Sequence, residues 1–165
     1  MRKVSITALF LIVFLFALTT AVQAGPPSNA SGVWLYTPYG TGMRLAGCNT
    51  HATTFEESIW QDGTFVGTST EDGRVTIHCA GNWSFKATVL FDHVEVNGRE
   101  GTLEMTVNGS RPDAMADWFG HWTITDGGGD LENLRGQGTF WGPGAPAQGV
   151  QGEITYEGQI HFEPE

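Results

Sequence analysis

Between residues 25 and 165 the chain has no helical period of any length; its apolar residues come every second position in short runs. The clearest run is Gly101 to Asn108, where Leu103, Met105 and Val107 alternate with Thr102, Glu104 and Thr106. A period of two marks a strand with one face buried. The same pattern recurs at Val75 and Ile77, and at Phe85, Ala87, Val89 and Phe91. It returns near the end, where Ile154, Tyr156, Ile160 and Phe162 share a face opposite Thr155, Glu157, Gln159 and His161. Asp62-Gly63 and Asn97-Gly98 are hairpin dipeptides, and Glu71-Asp72-Gly73 reads as another turn. Eight or nine short strands with regularly spaced turns restrict the fold to an antiparallel sandwich or a closed barrel. Sequential hairpins with one-sided alternation favour an up-and-down barrel. The 23 glycines are interleaved with aromatic and β-branched residues, which suits tight turns and a coiled sheet rather than disorder.

Two stretches refine this picture. In Trp83 to Val96 the apolar parity switches after Phe91, to Val94 and Val96. Such a switch predicts a β-bulge near Asp92 and His93. With the bulge, His93 and Glu95 face outward. Without it, both enter the barrel, where a histidine and a carboxylate would make an acid–base pair. They are the candidate catalytic residues of the sequence. In Gly120 to Trp141, a strand carrying Trp122 and Ile124 leads into the turn Asp126 to Asp130. One helical turn, Leu131 to Arg135 with Asp130 as N-cap, is expected next, then a strand ending in Phe140 and Trp141. The carboxylates Asp126, Asp130 and Glu132 read as turn and cap chemistry, because their spacing is not that of a calcium-binding loop.

The first 24 residues have a separate reading. Arg2 and Lys3 precede an apolar run from Ile6 to Leu18, and Val22-Gln23-Ala24 is a small-residue cleavage site. This is the plan of a secretory signal peptide, and the run falls short of the ~20 residues a spanning helix needs. Residues 25–165 then form one barrel domain, secreted or periplasmic, with no stable membrane insertion. That domain keeps six of the eight bases and all 18 acids, a net charge of −12. So acidic a chain disfavours nucleic acid and anionic surfaces as partners. In an oxidising compartment its two cysteines, Cys48 and Cys79, most simply pair as a disulfide, stabilising by about 3 kcal/mol in a chain-entropy account. His78 and Cys79 are neighbours on a strand and point to opposite faces, which argues against a shared metal. No metal and no cofactor is expected, and the sequence leaves the oligomeric state open.

Several phrases together resemble a known group. Phe65 to His78 (FVGTSTEDGRVTIH), Asn97 to Met105 (NGREGTLEM), His121 to Gly144 (HWTITDGGGDLENLRGQGTFWGPG) and Tyr156 to Phe162 (YEGQIHF) are similar to a bacterial family of uncharacterised proteins, domain-of-unknown-function group 3224. The resemblance spans Trp60 to Phe162. It implies an eight-stranded, calycin-like barrel of the kind shared by allene oxide cyclase and dirigent proteins. It brings no catalytic residue with it, because fold does not carry function.

An eight-stranded barrel holds its own side chains or one small ligand. Trp34, Phe91, Met105, Trp122, Tyr156 and Phe162 are the expected inward residues that would line such a ligand, with Phe65 and Phe85 beside them. Three functional classes remain. The first is a carrier of a small apolar or amphipathic ligand, or a plain structural module. The second is an isomerase or cyclase that folds an apolar substrate inside the barrel. The third is a carbohydrate-contacting module using solvent-facing Trp60 and Trp141.

Overall fold

A computed structural model describes residues 25–164. The expected signal peptide and its cleavage site lie outside the described residues. Eight antiparallel strands follow one another: β1 (Ser28–Ala46), β2 (Asn49–Gln61), β3 (Phe65–Ile77), β4 (Trp83–Val96), β5 (Arg99–Arg111), β6 (Trp118–Gly129), β7 (Leu134–Gly142) and β8 (Gly152–Phe162). Each pairs with its neighbour in sequence, and β1 pairs with β8 to close the barrel. No helix among the described residues is long and apolar enough to cross a membrane.

The expected hairpins form where the dipeptides stand. Asn97 (φ 54) and Gly98 (φ 79) both take the left-handed conformation that a tight β4–β5 turn demands. The β4–β5 register slips between Phe91 and Val94, so the predicted bulge is there. It restores Val94 and Val96 to the interior, both fully buried, and leaves His93 and Glu95 exposed.

Two expectations are corrected. The Glu71-Asp72-Gly73 turn does not form; β3 runs through it without a break. Gly73 serves close approach there: a Cβ would lie 2.9 Å from both the Ala87 Cβ and the Thr54 Oγ1. The short helical turn is absent. Asp130 to Asn133 is a turn in which the N–H groups of Leu131 and Glu132 donate to Gly128 and Gly129 carbonyls, and Leu134 N–H to that of Leu131. Asp130 acts through its backbone, N–H to Glu100 carbonyl, because the segment returns to the sheet after a single turn.

The barrel has two unlike ends. One carries the β2–β3, β4–β5 and β6–β7 turns, and it is filled. Trp60, Phe65, Phe91, Met105, Trp122 and Tyr156 are buried and lie against one another or the surrounding aliphatic side chains. Trp122 needs extra room, and a cross-strand glycine pair provides it. Gly138 and Gly158 face each other on β7 and β8, and a Cβ on either would lie within 2.6 Å of the indole. Its Nε1 donates to the Glu157 carbonyl at 3.2 Å. At the other end, the β1–β2 turn is tied by the Cys48–Cys79 disulfide to the segment that follows β3. This is the pairing expected from the sequence.

Candidate functional site

The disulfide-bearing end is hollow. A cavity of about 40 Å³ lies between Trp34 and Tyr36 on β1, Glu56 on β2, Glu71 and Val75 on β3, Phe85 on β4, Trp118 on β6, Phe140 on β7 and Ile154 on β8. One wall is polar and the rest is aromatic or aliphatic.

The polar wall follows from strand parity. Trp60 points inward on β2, so Ser58, Glu56 and Thr54 share its face at successive alternate positions. On β3 the inward face carries Phe65, Ser69 and Glu71. The register sets Ser58 opposite Ser69 and Glu56 directly opposite Glu71. Two carboxyl groups are therefore cross-strand partners inside the barrel, and Glu71 is only 3% exposed.

This arrangement is electrostatically costly. Like charges directly opposite on adjacent strands repel, and burial disfavours both ionised forms. Loss of solvation pushes the Glu56 carboxyl up to about 7. Burial first, then the Glu56 charge, hold Glu71 well above the usual carboxylate range. Near neutral pH the pair retains a proton. Neither ion pair among the described residues involves it; those join His93 to Glu100 and Arg135 to Glu163. Glu71 Oε1, Ser58 Oγ and Thr54 Oγ1 are buried without a hydrogen-bond partner. Three unpartnered oxygens on one inner wall are unusual, since buried polar atoms are nearly always paired. The one polar pairing on this wall lies deeper, where Trp60 Nε1 donates to Ser69 Oγ at 2.8 Å.

Above the cavity, Arg111 ends β5. Its guanidinium carbon sits 4.1 Å from the Trp83 ring centre and 4.7 Å from that of Trp118. The β7–β8 connection covers the mouth beside it. Ala145 N–H donates to the Tyr36 hydroxyl at 2.6 Å, and Gly149 N–H to the Pro38 carbonyl at 2.8 Å. Burial pushes the Tyr36 phenol up to about 12, so it stays neutral throughout the physiological range.

The sequence-predicted residues fall in three places. Of the six expected ligand-lining residues, Trp34 borders the cavity. Phe91, Met105, Trp122 and Tyr156 belong to the packed half, where Tyr156 Oη accepts the Phe65 N–H at 3.0 Å. Phe162 is half-buried at the filled end, with the Arg99 guanidinium 4.1 Å over its ring. His93 and Glu95 are on the outer wall because of the bulge, and so do not enter the barrel as an acid–base pair. Trp60 is 2% exposed and inside, which removes it from any surface carbohydrate site. Trp141 is half-buried and pairs with exposed Phe119 across β6 and β7. Glu56 and Glu71 escaped sequence reasoning because Glu71 stands in an Asp-Gly turn phrase. The available signal was parity, counted back from Trp60.

No family model matches the chain, and no curated protein matches its sequence. Among solved structures, a protein of unknown function from the DUF3224 family of Shewanella oneidensis MR-1 is similar, with a TM-score of 0.62 at 18% identity. The alignment covers 85% of this chain and all of that one. The structural neighbour thus comes from the group that the sequence phrases resemble, and what the two share is the barrel fold.

Proposed function

We propose that this chain is an exported β-barrel protein that receives one small amphipathic molecule at its disulfide-bearing end. One observation carries the reading: the barrel packs one end closely and keeps a cavity of about 40 Å³ at the other, bordered on one side by Glu56 and by Glu71 with its unpartnered oxygen. A ligand that is apolar on most sides and polar on one complements that lining. The disulfide and the all-β fold are compatible with a secreted or periplasmic setting. The acidic surface suits a small-molecule partner better than a nucleic acid.

The test is native mass spectrometry and organic extraction of the exported protein, with methanol as a small amphipathic probe of the cavity. Methanol should shift the indole NMR signals of Trp34 and Trp118 and leave that of Trp122 in place. No extracted ligand and no response at Trp34 or Trp118 would overturn the reading.

A second reading, an isomerase acting on an apolar substrate, draws on the carboxyl pair. An acid that stays protonated near pH 7 beside one that ionises is the arrangement used for general acid–base work. Here Glu56 and Glu71, rather than His93 and Glu95, would hold and move the proton. Loss of turnover in both Glu56→Gln and Glu71→Gln, with probe binding retained, is the expected outcome.

A further inference from the structure

Resting on the ligand-binding reading, we infer that the ligand is a small organic cation, a protonated amine, whose ammonium group sits against Glu56 and Glu71. Four observations converge on a cation. The two carboxyls are direct cross-strand partners on an inward face. Glu71 is buried, borders the cavity and has an oxygen with no hydrogen-bond partner. No base of the protein pairs with either carboxyl among the described residues; Arg111, at the mouth, stacks on two tryptophan faces with its Nε buried and unpartnered. The remaining walls offer rings from Trp34, Phe85, Trp118 and Phe140, whose negative faces attract cations.

The chemistry excludes simpler occupants. A neutral apolar molecule would leave the Glu71 oxygen desolvated and unpartnered, which costs more than leaving the cavity wet. A divalent metal takes either three or more protein ligands, or one or two carboxylates together with several waters, for which a cavity of about 40 Å³ has no room. Among the described residues no three His, Cys, Asp or Glu side chains come close enough to hold one. An alkylammonium instead donates its hydrogen bonds to the two carboxyls, while its hydrocarbon end meets the rings. Arg111 between Trp83 and Trp118 shows that the mouth of this barrel already accepts an organic cation on aromatic faces.

Binding of this kind expels a proton. The carboxyls share one near neutral pH, and an ammonium beside them favours the doubly ionised pair. The other ionisable groups facing the site are Tyr36 on β1, which stays neutral, and Arg111 at the end of β5, with Asp113 beyond it. β4, β6, β7 and β8 contribute only rings and aliphatic groups to the cavity wall. Affinity therefore rises with pH between about 6 and 8, the range in which Glu56 gives up its proton.

The experiment compares methylammonium and ethylammonium with methanol and ethanol on the mature, disulfide-bonded chain. Binding is followed by the Trp34 and Trp118 indole signals, and proton release by calorimetry in two buffers of different ionisation enthalpy. Each amine should bind at least about tenfold tighter than its alcohol, as expected for hydrogen bonds to charged groups. Uptake of the amine should release protons at pH 7. Glu71→Gln and Glu56→Gln, each checked for a native far-ultraviolet spectrum and melt, should reduce the preference to within about threefold. If the alcohols bind as tightly as the amines, or the variants keep the preference, the cation assignment is wrong while the ligand site stands. If neither amines nor alcohols move the two indole signals, the ligand-binding reading falls with it.

Discussion

Raising the pH from 5 to 8 should destabilise the ligand-free barrel, and the loss should trace to two side chains. Glu56 titrates near 7 in the folded chain against an ordinary value of 4.5. Between those pH values the unfolded chain releases this proton and the folded chain keeps it. The folded state thus binds more protons, and stability falls as pH rises, by about 1.4 kcal/mol per pH unit per proton. Across the gap from 4.5 to 7 that is about 3 kcal/mol for Glu56 alone. Glu71, held well above the usual range, continues the decline in the same direction at higher pH. The full stability contribution is present below the unfolded value and is lost as pH climbs through the folded one.

For a domain of this size, 3 kcal/mol corresponds to a fall in Tm of roughly 10 °C. The assay is thermal and urea melting of the oxidised chain, residues 25–165, at pH 5, 6, 7 and 8, beside the double variant Glu56→Gln/Glu71→Gln. General repulsion among the many surface acids acts in the same direction, and salt separates the two causes. Surface repulsion is screened at about 0.5 M salt, where the Debye length is a few ångströms, while a buried pair is screened much less. The slope should persist in high salt for the native chain and flatten in the double variant. Stability that is level or rising from pH 5 to 8, or a double variant with the native slope, would refute the reasoning.

Four further outcomes are expected. Cys48→Ser/Cys79→Ser should lower stability by about 3–4 kcal/mol, since the bond closes a loop of 31 residues, and thiol alkylation of the native chain should fail without reductant. Gly158→Ala should cost roughly 1–3 kcal/mol by driving a methyl into the Trp122 indole, with a shift in its fluorescence as a second readout. Tyr156→Phe should cost about 1–3 kcal/mol in urea melts, because it orphans the buried Phe65 N–H. His93→Ala and Glu95→Ala should each stay within about 0.5 kcal/mol of the native chain and leave methanol binding unchanged, as both side chains are exposed.

Strand parity made most of the barrel legible in advance. Alternation at Leu103, Met105 and Val107 assigned the inside of β5, and the parity switch after Phe91 located the bulge that turns His93 outward. Turn propensity was the weaker guide. Asp-Gly at 62–63 and Asn-Gly at 97–98 do make hairpins, yet Asp72-Gly73 lies within β3. Local chemistry is the same at all three. The difference is long-range: β2 and β4 both pair with β3 across Asp72 and Gly73, and Gly73 is the residue thin enough for Ala87 and Thr54 to close over it. No local window of sequence contains that information. The same misjudged turn hid Glu71, since a carboxylate in a turn looks solvated.

The contrast between the two halves of the barrel bears on why the carboxyls are there. At the filled end, large rings enter and glycines withdraw, until Trp122 rests on Gly138 and Gly158. Trp34, Phe85, Trp118 and Phe140 supply comparable aromatic bulk at the other end, so a shortage of apolar volume does not explain its cavity. What differs is the β2–β3 wall. Glu71 is already stripped of solvent with one oxygen unpartnered, and rings closing over Glu56 as well would bury a second carboxyl beside it, at a cost of several kcal/mol if either ionises. The pair thus keeps this end hollow as well as polar. A barrel selected for stability alone would gain from apolar residues at both positions, much as buried ion pairs yield to packed hydrophobic ones. An acidic pair opposed across two strands, facing a cavity and carrying no counterion among the described residues, is accounted for most directly by a cation that arrives from outside.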